Sequence, residues 1–249
     1  MAESRNILVI APHPDDESIG CGGTLCRHTA RGDRVAAVFL TSGELGLEHL
    51  QREEAWRVRE GEAESAAAVL GLADLTFLRC PDWFVGDGVD EVVALLRPVL
   101  AREAPQSIYL PHDREWHPDH RAALGVVRAA CQDSGILAPD LLTYEVWTPL
   151  SEFDEVKDIT PFMARKLRAV RCYHSQLAGF HYDRAVRGLN QYRGALAAQC
   201  RYAEVFQYAE LQESGVRSQG SGVRSLRSDV RNRQLGNSSS ATCPLTPDP

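Results

Sequence analysis

The sequence lacks the long apolar segments that a membrane-spanning helix requires. Its uninterrupted apolar runs are short, as at Val35–Leu40, and fall well below the roughly 20 residues needed to cross a bilayer. The N-terminus reaches the apolar residues Ile7–Ile10 directly, without a basic segment and a cleavable apolar core before them. From these absences we expect a cytoplasmic protein with no membrane span.

Paired cysteines and an excess of positive charge are also missing. The seven cysteines include no CxxC pair, which excludes a zinc ribbon and a thioredoxin-like redox motif. We expect these cysteines to be small, reduced side chains. The formal net charge is −7, so nucleic acid is not an expected partner, because binding phosphates requires a basic face.

What the chain does contain is the alternation of strand and helix patterns typical of an α/β protein. The 249 residues suit one such domain, with or without a tail. Strands are predicted at 6–11, 35–40, 75–78, 107–110 and 142–147. Helices are predicted at 20–31, 53–70, 89–103 (with a break at Pro98), 121–133, 161–172 and 183–201. Strands separated by helices imply right-handed parallel βαβ units with helices on both faces of the sheet.

The C-terminal segment differs in composition from the rest of the chain. From about Gln212 it repeats the sequence Ser-Gly-Val-Arg-Ser at 214–218 and 221–225, and it contains no aromatic residue. Such a segment cannot bury enough apolar surface to offset the entropy lost on ordering. We therefore expect one domain over residues 1–211 and a disordered, low-complexity tail over residues 212–249.

Two polar segments follow predicted strands of this domain. Ala11–Glu17, with the sequence APHPDDE, comes directly after the first strand, and Pro111–His120, with the sequence PHDREWHPDH, follows the strand at 107–110. Open α/β sheets bind ligands beyond the carboxyl ends of their strands. If the strand order is 3-2-1-4-5, these two strands are neighbours and their loops converge on one crevice.

Both loops are rich in imidazoles and carboxylates, the ligands that divalent cations require. Two histidines and one carboxylate suit zinc (Zn2+) with an open fourth position, and also ferrous iron (Fe2+). Such an ion lowers the pKa of a bound water towards 7. A further carboxylate can act as general base, and a further histidine can stabilise an oxyanion. The pattern therefore predicts a metal-dependent hydrolase.

The glycines after the first loop have a structural explanation. Gly20–Leu25, with the sequence GCGGTL, lacks the third glycine of the GxGxxG pattern found in dinucleotide-binding folds. We interpret these glycines as positions where a helix packs closely against the sheet below the first loop.

The two loops and their surroundings resemble the PIG-L, or LmbE-like, N-acetylglucosaminyl deacetylase family. The segment Ile7–Leu25 is similar to the signature strand, AHPDDE loop and glycine turn of that family, and His117–His120 to its second metal motif. Weaker similarity is found at Thr41–Glu44, at the helix from Arg59 and at Lys166–Gln176. Pro12 departs from the shorter Ala-His-Pro-Asp-Asp form but removes no ligand.

The resemblance implies a Rossmann-like fold with a mostly parallel sheet, and removal of an acetyl group from an N-acetylglucosaminyl small molecule or glycoconjugate. It implies three metal ligands, which are His13, Asp16 and His120. It further implies Asp15 as general base and His117 as oxyanion stabiliser, oriented by Asp119. Arg59 is implied, more weakly, as a substrate contact.

The sequence leaves two alternatives open. One is metal-dependent hydrolysis of a different amide or of an ester, which a substrate panel would distinguish. The other is a metal-binding or sugar-binding protein without turnover, which predicts tight metal binding but no release of acetate. The sequence leaves open the group attached to the sugar and whether the protein forms a homo-oligomer.

Overall fold

The computed structural model describes residues 3–132 and 136–211. The strands are β1 (Asn6–Ala11), β2 (Arg34–Thr41), β3 (Asp74–Cys80), β4 (Ser107–Pro111), β5 (Asp140–Tyr144), β6 (Glu155–Asp158) and β7 (Ala203–Ala209). The α-helices are α1 (Asp16–Ala30), α2 (Arg52–Leu70), α3 (Val89–Glu103), α4 (Pro118–Gln132), α5 (Met163–Val170), α6 (His174–Leu177) and α7 (Tyr182–Arg193). The tail predicted at 212–249 lies outside the described residues.

The strands form one seven-stranded sheet in the order β3-β2-β1-β4-β5-β7-β6. The first five strands of this order run parallel to one another. Strand β7 is antiparallel to β5, and β6 is antiparallel to β7. The predicted α/β fold class is confirmed, and the parallel strands have the 3-2-1-4-5 order that makes β1 and β4 neighbours. Because β1 and β4 pair directly, the loops that follow them lie side by side.

The central strands are buried on both faces by alternating side chains. On β1, Ile7 and Val9 belong to a core cluster that also contains Leu25 of α1, whereas Leu8 and Ile10 belong to a second cluster on the opposite face. This alternation is the two-residue period of an extended strand. Helices α1, α2 and α5 cover the first face, and α3 and α4 cover the second. The prediction of helices on both faces is confirmed.

Several predicted boundaries were wrong. Helix α1 begins at Asp16 instead of 20, and α4 begins at Pro118 instead of 121. In both cases the polar loop residues themselves form the first helical turn. Helix α3 continues through Pro98 without the expected break, because buried apolar side chains on both sides of the proline hold it against the sheet. Proline removes one intrahelical hydrogen bond, a cost that this packing offsets.

The largest differences from the prediction lie from β5 onward. Strand β5 ends at Tyr144 instead of 147, and α7 ends at Arg193 instead of 201. Strand β6, at the edge of the sheet, and its neighbour β7 were not predicted. The cysteines of the described residues are free thiols, as expected. Among the described residues, no helix combines the length and the apolarity needed to cross a bilayer, and the cytoplasmic location stays a prediction.

Close packing explains the glycines of α1, as interpreted from the sequence. A Cβ atom at Gly20 would lie 2.2 Å from the Tyr144 ring of β5, and one at Gly23 would lie 2.7 Å from Ile159. Both distances are too short for any side chain. The glycines therefore bring the first turns of α1, which carry Asp16, into direct contact with the sheet.

Candidate metal centre

Three polar atoms from the two loops converge at the carboxyl ends of β1 and β4. His13 Nδ1 lies 3.2 Å from His120 Nε2 and 3.4 Å from Asp16 Oδ2, and His120 Nε2 lies 3.1 Å from the same Asp16 oxygen. All three residues are buried. The structure therefore brings together the three residues that the resemblance implied as metal ligands.

The dimensions of this triangle fit a tetrahedral cation. Bond lengths of about 2.0–2.2 Å to nitrogen and oxygen place neighbouring ligands of a tetrahedral zinc ion about 3.3–3.5 Å apart. The three measured separations, from 3.1 to 3.4 Å, come close to this range. Although burial alone would raise the pKa of Asp16, the contacts with His120 and His13 lower it, so the carboxylate is anionic. An anionic oxygen and two imidazole nitrogens make a suitable donor set for zinc or ferrous iron.

The first turns of two helices position two of the three ligands, Asp16 and His120. Asp16 is the first residue of α1, where its Oδ2 atom accepts a hydrogen bond from the backbone amide of His13 at 2.9 Å. His120 lies in the first turn of α4, which begins at Pro118. Proline is favoured at this position of a helix because it has no amide hydrogen that needs a partner. The HPDH sequence thus places His117 just before the helix and His120 one turn later.

The second ring nitrogen of His13 is held by two carboxylates. His13 Nε2 lies 3.0 Å from Asp82 Oδ1 and 3.3 Å from Asp119 Oδ2. Asp119 accepts hydrogen bonds from the amides of Trp83 and Val85, at 2.8 and 3.1 Å. Metal-binding histidines commonly donate their other N–H to a carboxylate, which fixes the tautomer and the ring orientation. This arrangement leaves the Nδ1 lone pair of His13 directed at Asp16 and His120.

Asp82 was not predicted from the sequence, although its position after a strand is a signal for it. Asp82 lies two residues beyond the end of β3, at the same edge of the sheet as the two predicted loops, and it is buried. Its Oδ2 atom accepts a hydrogen bond from the Leu45 amide at 3.1 Å. An acidic residue directly after a parallel strand is the same pattern that identified the other loops.

Glu115 is a second residue that the sequence did not assign. Its carboxylate accepts hydrogen bonds from the backbone amides of Val146, Trp147 and Thr148, at 2.6 to 3.2 Å. Its Oε2 atom also lies 3.9 Å from His120 Nδ1. Glu115 therefore fixes the segment that follows β5 and places its carboxylate near His120, a candidate metal ligand.

Asp15 has a strained backbone and a buried carboxyl group. Its φ angle is 132°, in a region that residues with a Cβ atom rarely adopt. Its Oδ2 atom lies 3.5 Å from Nη2 of Arg59. Burial raises the pKa of Asp15 to about 7, although the Arg59 guanidinium opposes the shift. Strain of this kind persists where the surrounding structure enforces it, and it is concentrated at functional sites.

His117 lies against the candidate metal ligands, and its surroundings determine the protonation of its ring. Its ring centroid is 4.5 Å from that of His13 and 5.2 Å from that of His120. Burial and the imidazoles of these two residues lower the pKa of His117 to about 4, so the ring is neutral near pH 7. The Asp119 amide donates a hydrogen bond to His117 Nδ1 at 3.2 Å. The ring proton is therefore on Nε2.

Asp119 and Arg59, the remaining residues implied by the resemblance, also lie at the centre. Asp119 contacts His117 through its backbone amide, whereas its carboxylate faces His13. Arg59 donates a hydrogen bond from Nη2 to the Pro14 carbonyl at 2.6 Å. Its Nε and Nη1 atoms are buried without a hydrogen-bond partner among the described residues. They are donors that a ligand in the adjacent cavity could satisfy.

The ligands open into a cavity of about 240 Å³ with an aromatic mouth. We call the five rings around this mouth the aromatic rim, which consists of Trp83, Trp116, Trp147, Phe180 and Tyr182. Successive rings of the rim have centroids 5.3 to 6.4 Å apart. The Trp83 centroid lies 4.5 Å from that of His117. Aromatic surface therefore extends from the candidate metal centre to the outside.

Comparison with known proteins gives one family and several named relatives. The PIG-L family, described as GlcNAc-PI de-N-acetylase, matches residues 8–131. A 1D-myo-inositol 2-acetamido-2-deoxy-alpha-D-glucopyranoside deacetylase from Kineococcus radiotolerans is 34% identical over 168 residues, which are 53% of this chain and 46% of that protein. The chain therefore spans about half the length of this relative.

Two further similarities cover more of the compared proteins. A probable N-acetyl-alpha-D-glucosaminyl L-malate deacetylase 2 from Bacillus cereus is 29% identical over 69% of this chain and 84% of that protein. The solved structure of N,N'-diacetylchitobiose deacetylase from Pyrococcus horikoshii superposes with a TM-score of 0.73 and 25% identity, covering 84% of this chain and 85% of that one. The matched residues include both loops of the candidate metal centre, and the chain belongs to the PIG-L family.

Proposed function

We propose that this protein is a zinc-dependent hydrolase that removes the acetyl group from an N-acetylglucosaminyl small molecule or glycoconjugate. The observation that carries the proposal is the convergence of His13 Nδ1, Asp16 Oδ2 and His120 Nε2 within 3.4 Å of one another. Asp15 and His117 lie beside this triangle and are assigned to no ligand position. The names of the compared proteins, which are deacetylases of N-acetylated sugars, support the same reaction.

The donor set favours zinc and leaves ferrous iron as the alternative ion. Two imidazoles and a carboxylate would supply three of the four ligands of a tetrahedral ion, and His13 and Asp16 also line the cavity from which a fourth ligand could enter. When bound, such an ion polarises a carbonyl group and activates a water molecule for attack. The protein's own contribution is to orient His13 through Asp82 and Asp119, and to place the negative charge of Glu115 near His120.

Asp15 is the residue we assign as general base. Its carboxylate borders the cavity, and a pKa of about 7 suits a group that accepts a proton at neutral pH. As water attacks the acetamide carbon, Asp15 accepts one of its protons and later returns it to the leaving nitrogen. The C–N bond breaks, and acetate and a free amine are released.

His117 is the residue we assign to the oxyanion. Its Nε2–H can donate a hydrogen bond to the carbonyl oxygen as negative charge develops there. A neutral ring held by the Asp119 amide needs no reorganisation to make this bond. Donors that are already oriented towards the developing charge make a large contribution to catalysis.

Arg59 is assigned to substrate binding. The unpartnered Nε and Nη1 donors of its guanidinium suit sugar hydroxyl or acetyl oxygen atoms. A Cβ atom at Gly43 would lie 3.0 Å from Arg59 Nη2, so this glycine leaves the guanidinium the space it occupies. The same side chain also supports the Asp15 loop through the Pro14 carbonyl.

A panel of substrates tests the proposed reaction against its alternatives. Zinc-loaded protein is incubated with several N-acetylglucosaminides, with an N-acetylated amino acid and with a sugar O-acetyl ester, and acetate is quantified. We expect acetate from the N-acetylglucosaminides, together with an equal amount of amine. Release from only the amino acid or only the ester would replace the proposal with a different hydrolase. Tight zinc binding without any release would identify a binding protein.

A further inference from the structure

A second cavity adjoins the candidate metal centre on the side of α7. It has a volume of about 340 Å³, within the range of small-molecule sites. Its walls come from α7 and from the segment that follows β5. It shares Trp147, Phe180 and Tyr182 of the aromatic rim with the cavity of the metal centre. The two cavities therefore lie next to each other along these three rings.

The lining of the second cavity is apolar, with one unsatisfied polar atom. Aliphatic side chains form much of its wall, and these are Ile19, Val146, Pro149, Val186 and Leu189. Asn190, which is 4% exposed, also lines it and donates a hydrogen bond from Nδ2 to the Ala203 carbonyl at 3.0 Å. Its Oδ1 atom is buried and has no partner among the described residues. Such an acceptor suits a hydroxyl or N–H group on an otherwise apolar ligand.

The charges at this cavity do not suit an anionic ligand. Glu145 lines it, and its Oε1 atom accepts hydrogen bonds from the Leu150 amide and from Arg193. Among the described residues, no lysine or arginine lines the cavity, and the imidazole of His181 is its one basic side chain. A carboxylate on a ligand would lose its hydration here without meeting a fixed cation, which is strongly unfavourable.

We propose that this cavity binds an uncharged, apolar aglycone of the N-acetylglucosaminide substrate. This inference rests on the proposed deacetylase function and specifies its substrate class. The sugar would occupy the cavity of the metal centre, and the aglycone would pass Trp147 and Tyr182 into the apolar space. The volume accommodates a group of the size of a substituted phenyl ring, whereas an acetyl group needs far less room.

Three glycosides of one anomeric configuration test the inference, namely the methyl, phenyl and malyl N-acetylglucosaminides. Values of kcat/KM are measured with zinc-loaded full-length protein. Because burying a phenyl ring removes substantial apolar surface from water, we expect the phenyl glycoside to exceed the methyl glycoside by about tenfold or more. We expect the malyl glycoside to be no better than the methyl glycoside.

Two variants on α7 link the preference to this cavity. Ala185 is exposed at the edge of the cavity lining, so Ala185→Phe places a ring in the space assigned to the aglycone. We expect the phenyl-to-methyl ratio of kcat/KM in this variant to fall to near one. Gly188→Phe is the matched control, because a Cβ atom at Gly188 meets open space and the residue does not line the cavity. Its ratio should equal that of the wild type.

The possible results separate this inference from the proposed function. Equal kcat/KM for the methyl and phenyl glycosides, or a preference that survives in Ala185→Phe, overturns the aglycone assignment while deacetylation stands. A fourth substrate, a methyl glucosaminide with an N-hexanoyl group, tests whether the cavity binds the acyl chain instead of the aglycone. If it reacts faster than the N-acetyl compound, and Ala185→Phe removes this advantage, the cavity binds the acyl chain and the inference is wrong. Absence of acetate from every glycoside overturns the proposed function itself.

Discussion

His13 Nε2 lies 3.0 Å from Asp82 Oδ1, so a residue after β3 determines which nitrogen of His13 can face a metal ion. When Nε2 of His13 donates its proton to Asp82, the other ring nitrogen, Nδ1, keeps its lone pair. That lone pair points at the site formed with Asp16 and His120. The contact connects three neighbouring strands, since His13 follows β1, Asp82 follows β3, and Leu45, whose amide binds Asp82, follows β2.

We predict that Asp82→Ala weakens metal binding without removing a ligand. Loss of a carboxylate that orients a metal-binding histidine typically lowers affinity by about 10- to 100-fold. Competition with a chromogenic chelator measures the dissociation constant of zinc. Asp113→Ala is the control, because Asp113 is exposed on the loop after β4. Equal affinity in Asp82→Ala and wild type would show that Asp82 does not orient His13.

The ligands themselves should be indispensable for metal content. We predict that purified wild-type protein holds about one equivalent of zinc or iron, as expected for a buried site with three ligands. His13→Ala, Asp16→Ala and His120→Ala should each lose most of it by elemental analysis. His49→Ala, which changes an exposed histidine, should retain it. Wild-type metal content in all three variants would show that these residues are not the metal ligands.

Asp15→Asn separates proton transfer from metal binding. The amide keeps the size of the side chain but cannot act as a base, so we expect a fall in kcat of about 10²–10⁴. KM should change much less, because the proton is transferred only in the transition state. Metal content is measured on the same samples and should remain near that of the wild type. Near wild-type turnover with metal bound would exclude Asp15 as the base.

His117→Ala tests stabilisation of the oxyanion. Removal of one such donor typically costs about 10²–10³ in kcat, and we expect a loss of this size at unchanged metal content. His117→Gln retains a donor and should recover part of the lost rate. A variant that instead loses its metal would identify His117 as a fourth ligand, since its ring lies close to both His13 and His120.

The backbone of Asp15 gives a prediction about stability. At a φ of 132°, glycine avoids the steric cost that a Cβ atom incurs. Relief of such strain raises the free energy of unfolding by about 1–3 kcal/mol. In a protein of this size, each kcal/mol raises the Tm by about 2–4 °C. We therefore expect Asp15→Gly to raise the Tm by several degrees while activity is lost. A lower Tm would show that the Asp15 side chain stabilises the fold more than its backbone strains it.

The centre of the sheet and the ligand loops could be predicted because their signals are local in the sequence. The buried strand at Asn6–Ala11 and the polar residues after it are contiguous, as are those after β4. Parallel strands then bring the two loops together by topology alone. The family resemblance added the roles of Asp15 and His117, which stay predictions until the variants above are measured.

Other features depend on contacts between distant segments and could not be predicted. Strands β6 and β7 pair across more than 40 residues of sequence, at the edge of the sheet, where the apolar alternation is weak. The role of Glu115 depends on three amides that follow β5. Helix α1 starts at Asp16, directly after Asp15, whose positive φ angle no residue pattern predicts.

The most direct test of the account is a comparison of metal-free and zinc-loaded wild-type protein with zinc-loaded Asp15→Asn on one N-acetylglucosaminide. Acetate and free amine are quantified together with bound zinc. The account predicts equal amounts of acetate and amine from the zinc-loaded wild type, little from the metal-free protein, and a rate at least about a hundredfold lower from Asp15→Asn with its zinc retained. Full activity in the metal-free protein, or in the zinc-loaded variant, would contradict it.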